Sequence, residues 1–240
     1  MAPHSPRVSI GRLPTTGPDL YGREKDLGWL DACWASRVHV AVVVAWGGVG
    51  KSALVNTWLA GLRDKGWDGA ARVFGWSFYH QGTDALASSD EFFEVALTWF
   101  GDPDPRAGSP WDKGERLAAR VREERTLLVL DGVEPLQGGP GSGEGEGNLK
   151  DPALQALVKE LGAQNEGLCV VTSRLRVADL EALEGERVQT PGLEHLSREA
   201  GAAEGAQGLG GGGRAAGGGG GVRRARFGAH AARDLSPEGA

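Results

Sequence analysis

The chain has 240 residues and a formal charge of −6 at pH 7, with 26 Lys and Arg against 32 Asp and Glu. That length and its 40% apolar content allow a sizeable core, while the acidic balance offers no general attraction to nucleic acid or anionic lipid. Cys33 and Cys169 lie far apart in apolar contexts, the histidines show no ligand spacing, no apolar run approaches the roughly 20 residues that cross a bilayer, and the N-terminus lacks a signal-peptide plan; together these weigh against a disulfide framework, a zinc site, a membrane span and secretion, and predict a cytoplasmic protein.

Residues 1–19, rich in Pro, Ser, Thr and Gly, read as a leader or linker. A short helix follows, with Leu27, Leu30 and Cys33/Trp34 at helical spacing. From there strand and helix patterns alternate. "VHVAVVVA" is a buried strand, "KSALVNTWLAGL" a helix, "ARVFGWSFY" a strand, "SDEFFEVALTWF" and "KGERLAARVREE" helices, and "TLLVLDG" a strand. After a Gly-rich loop, Asp151 as N-cap and Pro152 at the first helical position open "DPALQALVKEL", which Gly162 stops. "GLCVVTS" is a further strand, "VADLEALE" a short helix and "ERVQT" a last strand. Nearly continuous Val/Leu strands separated by helices predict an α/β fold, a mostly parallel sheet with helices on both faces, over residues 20–197. Residues 198–240 change character to Gly, Ala and Arg with almost no large apolar side chain, so a disordered tail is expected there. The aromatic helix reads as core rather than as a base-stacking surface, and the tail arginines as solvated rather than as an RNA contact.

"AWGGVGKS", Ala45 to Ser52, follows the first buried strand and opens a helix. It fits the phosphate-loop pattern G-x-x-x-x-G-K-S/T except that Ala45 stands at the first Gly position. Gly47, Gly48 and Gly50 permit a tight path that turns N–H groups toward phosphate oxygens, Lys51 supplies a charge for the β and γ phosphates, and Ser52 a hydroxyl for Mg²⁺. "LLVLDGVEP" then delivers Asp131 to a strand end, where it can serve the same Mg²⁺. "CVVTSR" ends a third strand with Thr172, Ser173 and Arg174, an arginine placed to reach a γ phosphate. Trp46, inside the loop, either packs beneath it or lies near the nucleotide.

"YGRE" (Tyr21 to Glu24), "AWGGVGKSAL", "LLVLDGVEPL" and "CVVTSR", in this order and at these separations, resemble the nucleotide-binding core of STAND signalling NTPases, the NACHT and NB-ARC relatives. The resemblance implies that Tyr21, Gly22 and Arg23 lie near adenine and ribose, and that Gly47 to Ser52, with Val49 and Ala53, bind phosphates. It makes Asp131 the Walker B aspartate and Arg174 the sensor arginine, with Glu134 a candidate for orienting the attacking water. The implied cofactors are ATP/ADP and Mg²⁺, and the implied activity is an ATP/ADP switch with weak hydrolysis, able to form a homo-oligomer through this domain. Relatives carry an effector domain before the core and a helical lid after it. Here the lid should begin near "LEHLSREAGA", where the Gly-rich tail sets in, so the pattern reads as a truncated or frame-disrupted relative. A non-catalytic ADP-binding scaffold is the alternative reading, and a generic P-loop kinase, for which no acceptor-site motif is visible, the third.

Overall fold

The computed structural model describes residues 5–17, 20–79, 89–139 and 145–191. Its centre is a six-stranded sheet built from β1 (Arg7–Arg12), β2 (Val40–Val44), β3 (Arg72–Ser77), β4 (Thr126–Asp131), β5 (Leu168–Ser173) and β6 (Val188–Gln189). The spatial order is β1-β3-β4-β5-β2-β6, and every ladder between neighbours is parallel. Among the described residues five α-helices cover it: α1 (Glu24–Ala35), α2 (Lys51–Asp64), α3 (Ser89–Trp99), α4 (Pro110–Arg122) and α5 (Pro152–Ala163).

The period of two along each strand sorts the apolar side chains into two cores. Val40, Val42, Phe74, Leu128, Leu130 and Val171 pack against α3, α4 and α5. Ala41, Val43, Val73, Leu127, Val129 and Val170 face α1 and α2. Strands buried on both sides need no polar alternation, which is why β2, β4 and β5 read as unbroken apolar runs. Phe92, Phe93, Ala96 and Leu97 of the aromatic helix are buried in the first core. Phe92 meets Trp76, Phe78 and Phe93 edge-on, at ring-centroid distances of 5.6, 5.2 and 4.8 Å.

Local chemistry sets the helix starts. Asp151 accepts from the Leu154 amide at 2.7 Å with Pro152 as the first helical residue. Ser109 and Asp112 form a reciprocal capping box that starts α4 at Pro110, earlier than the apolar periodicity from Lys113 suggested. The segment expected as a short helix near Ala178–Leu183 winds as a 3₁₀ turn.

One expectation is corrected. Residues 7–12, read as part of a linker, form the edge strand β1 beside β3. Its burial is slight, and its one short alternation, Val8 and Ile10 between Arg7, Ser9 and Gly11, does not stand out from the Pro, Ser, Thr and Gly around it. Cationic side chains fasten it instead: the Arg7 guanidinium lies 4.5 Å from the Trp99 ring and that of Arg12 lies 4.4 Å from Trp76, with Arg12 also paired to Glu91 at 2.7 Å. Just beyond, Leu13 packs where a side chain on Gly75 would sit, with a Cβ there only 2.7 Å from its Cδ1. Residues 198–240, expected as lid remnant and tail, lie outside the described residues.

Candidate functional site

The carboxyl ends of β2, β3, β4 and β5 open onto one cleft of about 340 Å³. β2 hands the chain to the Gly-rich loop, and α2 begins at its far end. Gly48 and Gly50 stand at φ of 79° and 88°, a region where any side chain is strained, so the loop's tight path depends on glycine there. The first helical bond runs from the Leu54 amide to the Gly50 carbonyl at 2.8 Å.

Lys51 turns back across the loop, and its Nζ donates to the carbonyls of Ala45 at 2.8 Å and Trp46 at 3.2 Å. Trp46 does not pack beneath the loop; its side chain stands 82% exposed. Arg23, at the entrance to α1, is buried and donates to the Val49 carbonyl at 2.8 Å, bracing the loop from a second element.

Asp131 is the buried last residue of β4. Its Oδ1 accepts from Ser52 Oγ and Thr172 Oγ1, both at 2.8 Å, and its Oδ2 from Ser77 Oγ at 3.1 Å. Three elements therefore aim hydroxyls at one carboxylate. This follows from strand order, because β5 lies between β2 and β4 and β3 lies on the other side of β4.

Glu134 follows β4 in a 3₁₀ turn, Glu134–Leu136. Its Oε1 is 3.8 Å from Lys51 Nζ and 3.6 Å from Arg174 Nε, while its buried Oε2 has no hydrogen-bond partner among the described residues. Burial pushes the Glu134 carboxyl above its ordinary pKa despite both cations. Burial also lowers the Lys51 ammonium, against the opposing pull of Glu134. Arg174, half exposed, lies against Gly47, where an added Cβ would be 3.2 Å from its Cζ.

The structure thus gathers Gly47, Gly48, Gly50, Lys51, Ser52, Ala53, Asp131, Glu134 and Arg174 around one cleft. It does not bring Tyr21, Gly22, Arg23 or Val49 to the cleft wall: Tyr21 is exposed, Gly22 turns the chain at φ 66°, and Val49 packs against the core under α2. Four wall or support residues went unseen in the sequence. Ser77 and Tyr79 arrive from the end of β3, whose acid-poor sequence carries no site signal. Pro14 and Thr16 line the cleft from the presumed linker, held by Asn56 Nδ2, which donates to the Pro14 carbonyl at 2.7 Å and to Thr16 Oγ1 at 3.2 Å.

The adjacent Ser52 hydroxyl and Asp131 carboxylate form an all-oxygen donor pair. That suits Mg²⁺, which takes one or two carboxylates and fills its remaining positions with water and phosphate oxygens. Among the described residues no group of three or more His, Cys, Asp or Glu converges as a metal cage. Among the described residues, too, no helix is long and apolar enough to cross a membrane.

A buried parallel strand, a glycine loop opening a helix, and a strand-end aspartate bonded to the loop's hydroxyl residue make this a P-loop NTPase-like fold. No family model and no curated protein matches the chain. Among solved structures, it is similar to a STAND protein with a tetratricopeptide repeat sensor from Pyrococcus horikoshii, at 14% identity and a TM-score of 0.47 over 76% of this chain and 24% of that one. It is also similar to the Aeropyrum pernix ORC1 protein in complex with DNA, at 20% identity and a TM-score of 0.46 over 72% of this chain and 46% of that one. A third is the Aeropyrum pernix ORC2 protein in ADPNP and ADP complexes, at 15% identity and a TM-score of 0.44, over 75% of this chain and 51% of that one. The chain thus spans 24% to 51% of the length of these three structures.

Proposed function

We propose that residues 20–197, together with β1, form a Mg²⁺-dependent ATP/ADP-binding domain of the STAND signalling type, with slow ATP hydrolysis. The observation that carries this reading is the 2.8 Å hydrogen bond from Ser52 Oγ to Asp131 Oδ1, which ties the phosphate loop to the strand-end acid inside one cleft. Two remote stretches of sequence with complementary metal-binding chemistry meet there.

In this reading the amides of Gly47 to Ala53 receive phosphate oxygens at the N-terminus of α2, where partial positive charge gathers. Lys51 leaves the Ala45 and Trp46 carbonyls for the phosphates, and Arg174 reaches a γ phosphate from the end of β5. Mg²⁺, when bound at Ser52 and Asp131, supplies charge neutralisation on the phosphate oxygens. Glu134 orients water through its unpartnered Oε2, and burial keeps its carboxyl basic enough to take a proton. Arg23 holds the loop's shape through Val49. The resemblance also suggests assembly of copies through this domain.

Thermal unfolding with Mg²⁺ and ADP or ATP, beside Lys51→Ala, tests the reading. At about 100 times the dissociation constant, binding to the folded state adds roughly 2.7 kcal/mol, and Lys51→Ala should abolish that gain. Absence of a nucleotide-dependent rise in the unmodified chain would overturn it. Phosphate release separates switch from scaffold: slow turnover that vanishes in Glu134→Gln while binding persists is expected, whereas binding with no turnover at all leaves the ADP-holding scaffold.

A further inference from the structure

Tyr79 is a part of the cleft wall to which the reading above gives no role. It sits just past β3, two strands away from Arg174 at the end of β5. The ring crosses that gap over Gly132, where a Cβ would come within 2.6 Å of Tyr79 Cδ2. The missing side chain at Gly132 is therefore what lets an aromatic ring from β3 reach a β5 residue. The ring's backbone is fixed as well: the Tyr79 amide donates to Ser77 Oγ at 3.3 Å, and that hydroxyl donates to Asp131.

The Arg174 guanidinium carbon lies 5.5 Å from the centre of the Tyr79 ring. Glu134 is 3.6 Å from Arg174 Nε, and Gly47 lies beneath the guanidinium with no side chain between. A half-exposed arginine would otherwise sample many rotamers; here an aromatic face, a carboxylate and a bare glycine restrict it to the mouth of the phosphate loop. When phosphate charge enters the loop, Glu134 competes with it for the guanidinium, whereas the neutral ring does not. The ring can therefore keep Arg174 in place as it changes anionic partner.

Resting on the nucleotide-binding reading, we propose that Tyr79 is a positioning residue that sets how strongly this cleft distinguishes a nucleoside triphosphate from a diphosphate, by holding Arg174 over Gly47. It touches the arginine, and through it governs contact with the terminal phosphate.

The test is calorimetric titration of the full chain with Mg²⁺ and either ADP or an imido-bridged ATP analogue. Tyr79→Ala should weaken the triphosphate analogue about twofold to fivefold, the range of a half-exposed cation–ring contact, and leave ADP affinity nearly unchanged. Tyr79→Phe, which keeps the ring face, should preserve the wild-type ratio. Adding Tyr79→Ala to Arg174→Ala should cost nothing further, because the two act as one unit. Equal weakening of both nucleotides, a Phe variant that behaves like Ala, or additive losses in the double variant would each overturn the proposal. Should Tyr79→Ala fail to fold, Tyr79→Leu against Tyr79→Phe makes the same comparison. If the wild-type chain binds neither nucleotide, the cleft reading falls and takes this one with it; if it binds both and the ratio ignores Tyr79, only the positioning role falls.

Discussion

Glu134 is the least settled side chain in the cleft, because one of its oxygens faces two cations and the other is buried with no hydrogen-bond partner. Burial raises its pKa from an ordinary value of 4.5, so the folded chain keeps a proton that the unfolded chain releases. Stability linked to this group is fully present below pH 4.5 and is lost as pH rises through the raised folded value. Wild type should therefore lose stability relative to Glu134→Gln as pH climbs above 4.5 without nucleotide, a trend that thermal melts of both would display. Parallel curves would mean that Lys51 and Arg174 fully compensate the burial. That Lys51, Ser52 and Asp131 meet at one cleft was legible in the sequence because a glycine-rich Lys-Ser loop after one strand and an acid ending another are short local patterns. Tyr79 and Ser77 were not, since their neighbours across the cleft come from strands that only folding brings alongside.

Among the elements, α4 and α5 show packing overriding propensity. Gly114 lies inside α4, where helix propensity favours alanine by about 1 kcal/mol. A Cβ there would stand 2.2 Å from the Ala153 carbonyl oxygen and 2.8 Å from Ala156 Cβ, because the two helices approach at that point. Backbone cannot yield as a flexible side-chain tip can, so Gly114→Ala should destabilise the chain by roughly 1 to 3 kcal/mol. Denaturant unfolding would show this as a lower midpoint at constant slope, and a raised midpoint would mean that the helices separate easily. The same pair of elements shows what local sequence carries. Asp151–Pro152 announced the start of α5, and the Ser109 capping box held equivalent information for α4, yet the apolar periodicity from Lys113 drew the predicted start inward. β1 offered less: its side chains are largely exposed and its fastening contacts are arginines on distant aromatic rings, which no local pattern encodes.

At the scale of the molecule, a parallel sheet was legible because strands covered on both faces must be apolar throughout, but strand order was not, since nothing in β5 states that it lies between β2 and β4. The same blindness hid the path of residues 13–16, which link the sheet edge to the cleft. Leu13 sits on Gly75 of β3, then Pro14 and Thr16 reach the cleft wall under the grip of Asn56 from α2. Two hydrogen bonds from one amide thus connect the segment after β1 to the helix that begins at the glycine-rich loop. Each bond is worth about 0.5 to 1.5 kcal/mol net, so Asn56→Ala should release the segment without unfolding the sheet. Hydrogen exchange would then quicken at the Leu13, Thr15 and Thr16 amides, and ADP affinity would fall several-fold as that wall loosens. In the unmodified chain, Mg²⁺ with ADP should slow exchange at those same amides, because Pro14 and Thr16 line the cleft. Exchange there that is indifferent to nucleotide would sever the segment from the site and leave Asn56 holding it for stability. A coupled response would mean that occupancy of the cleft is transmitted to the edge strand through residues 13–16, which join the Asn56 contacts to β1.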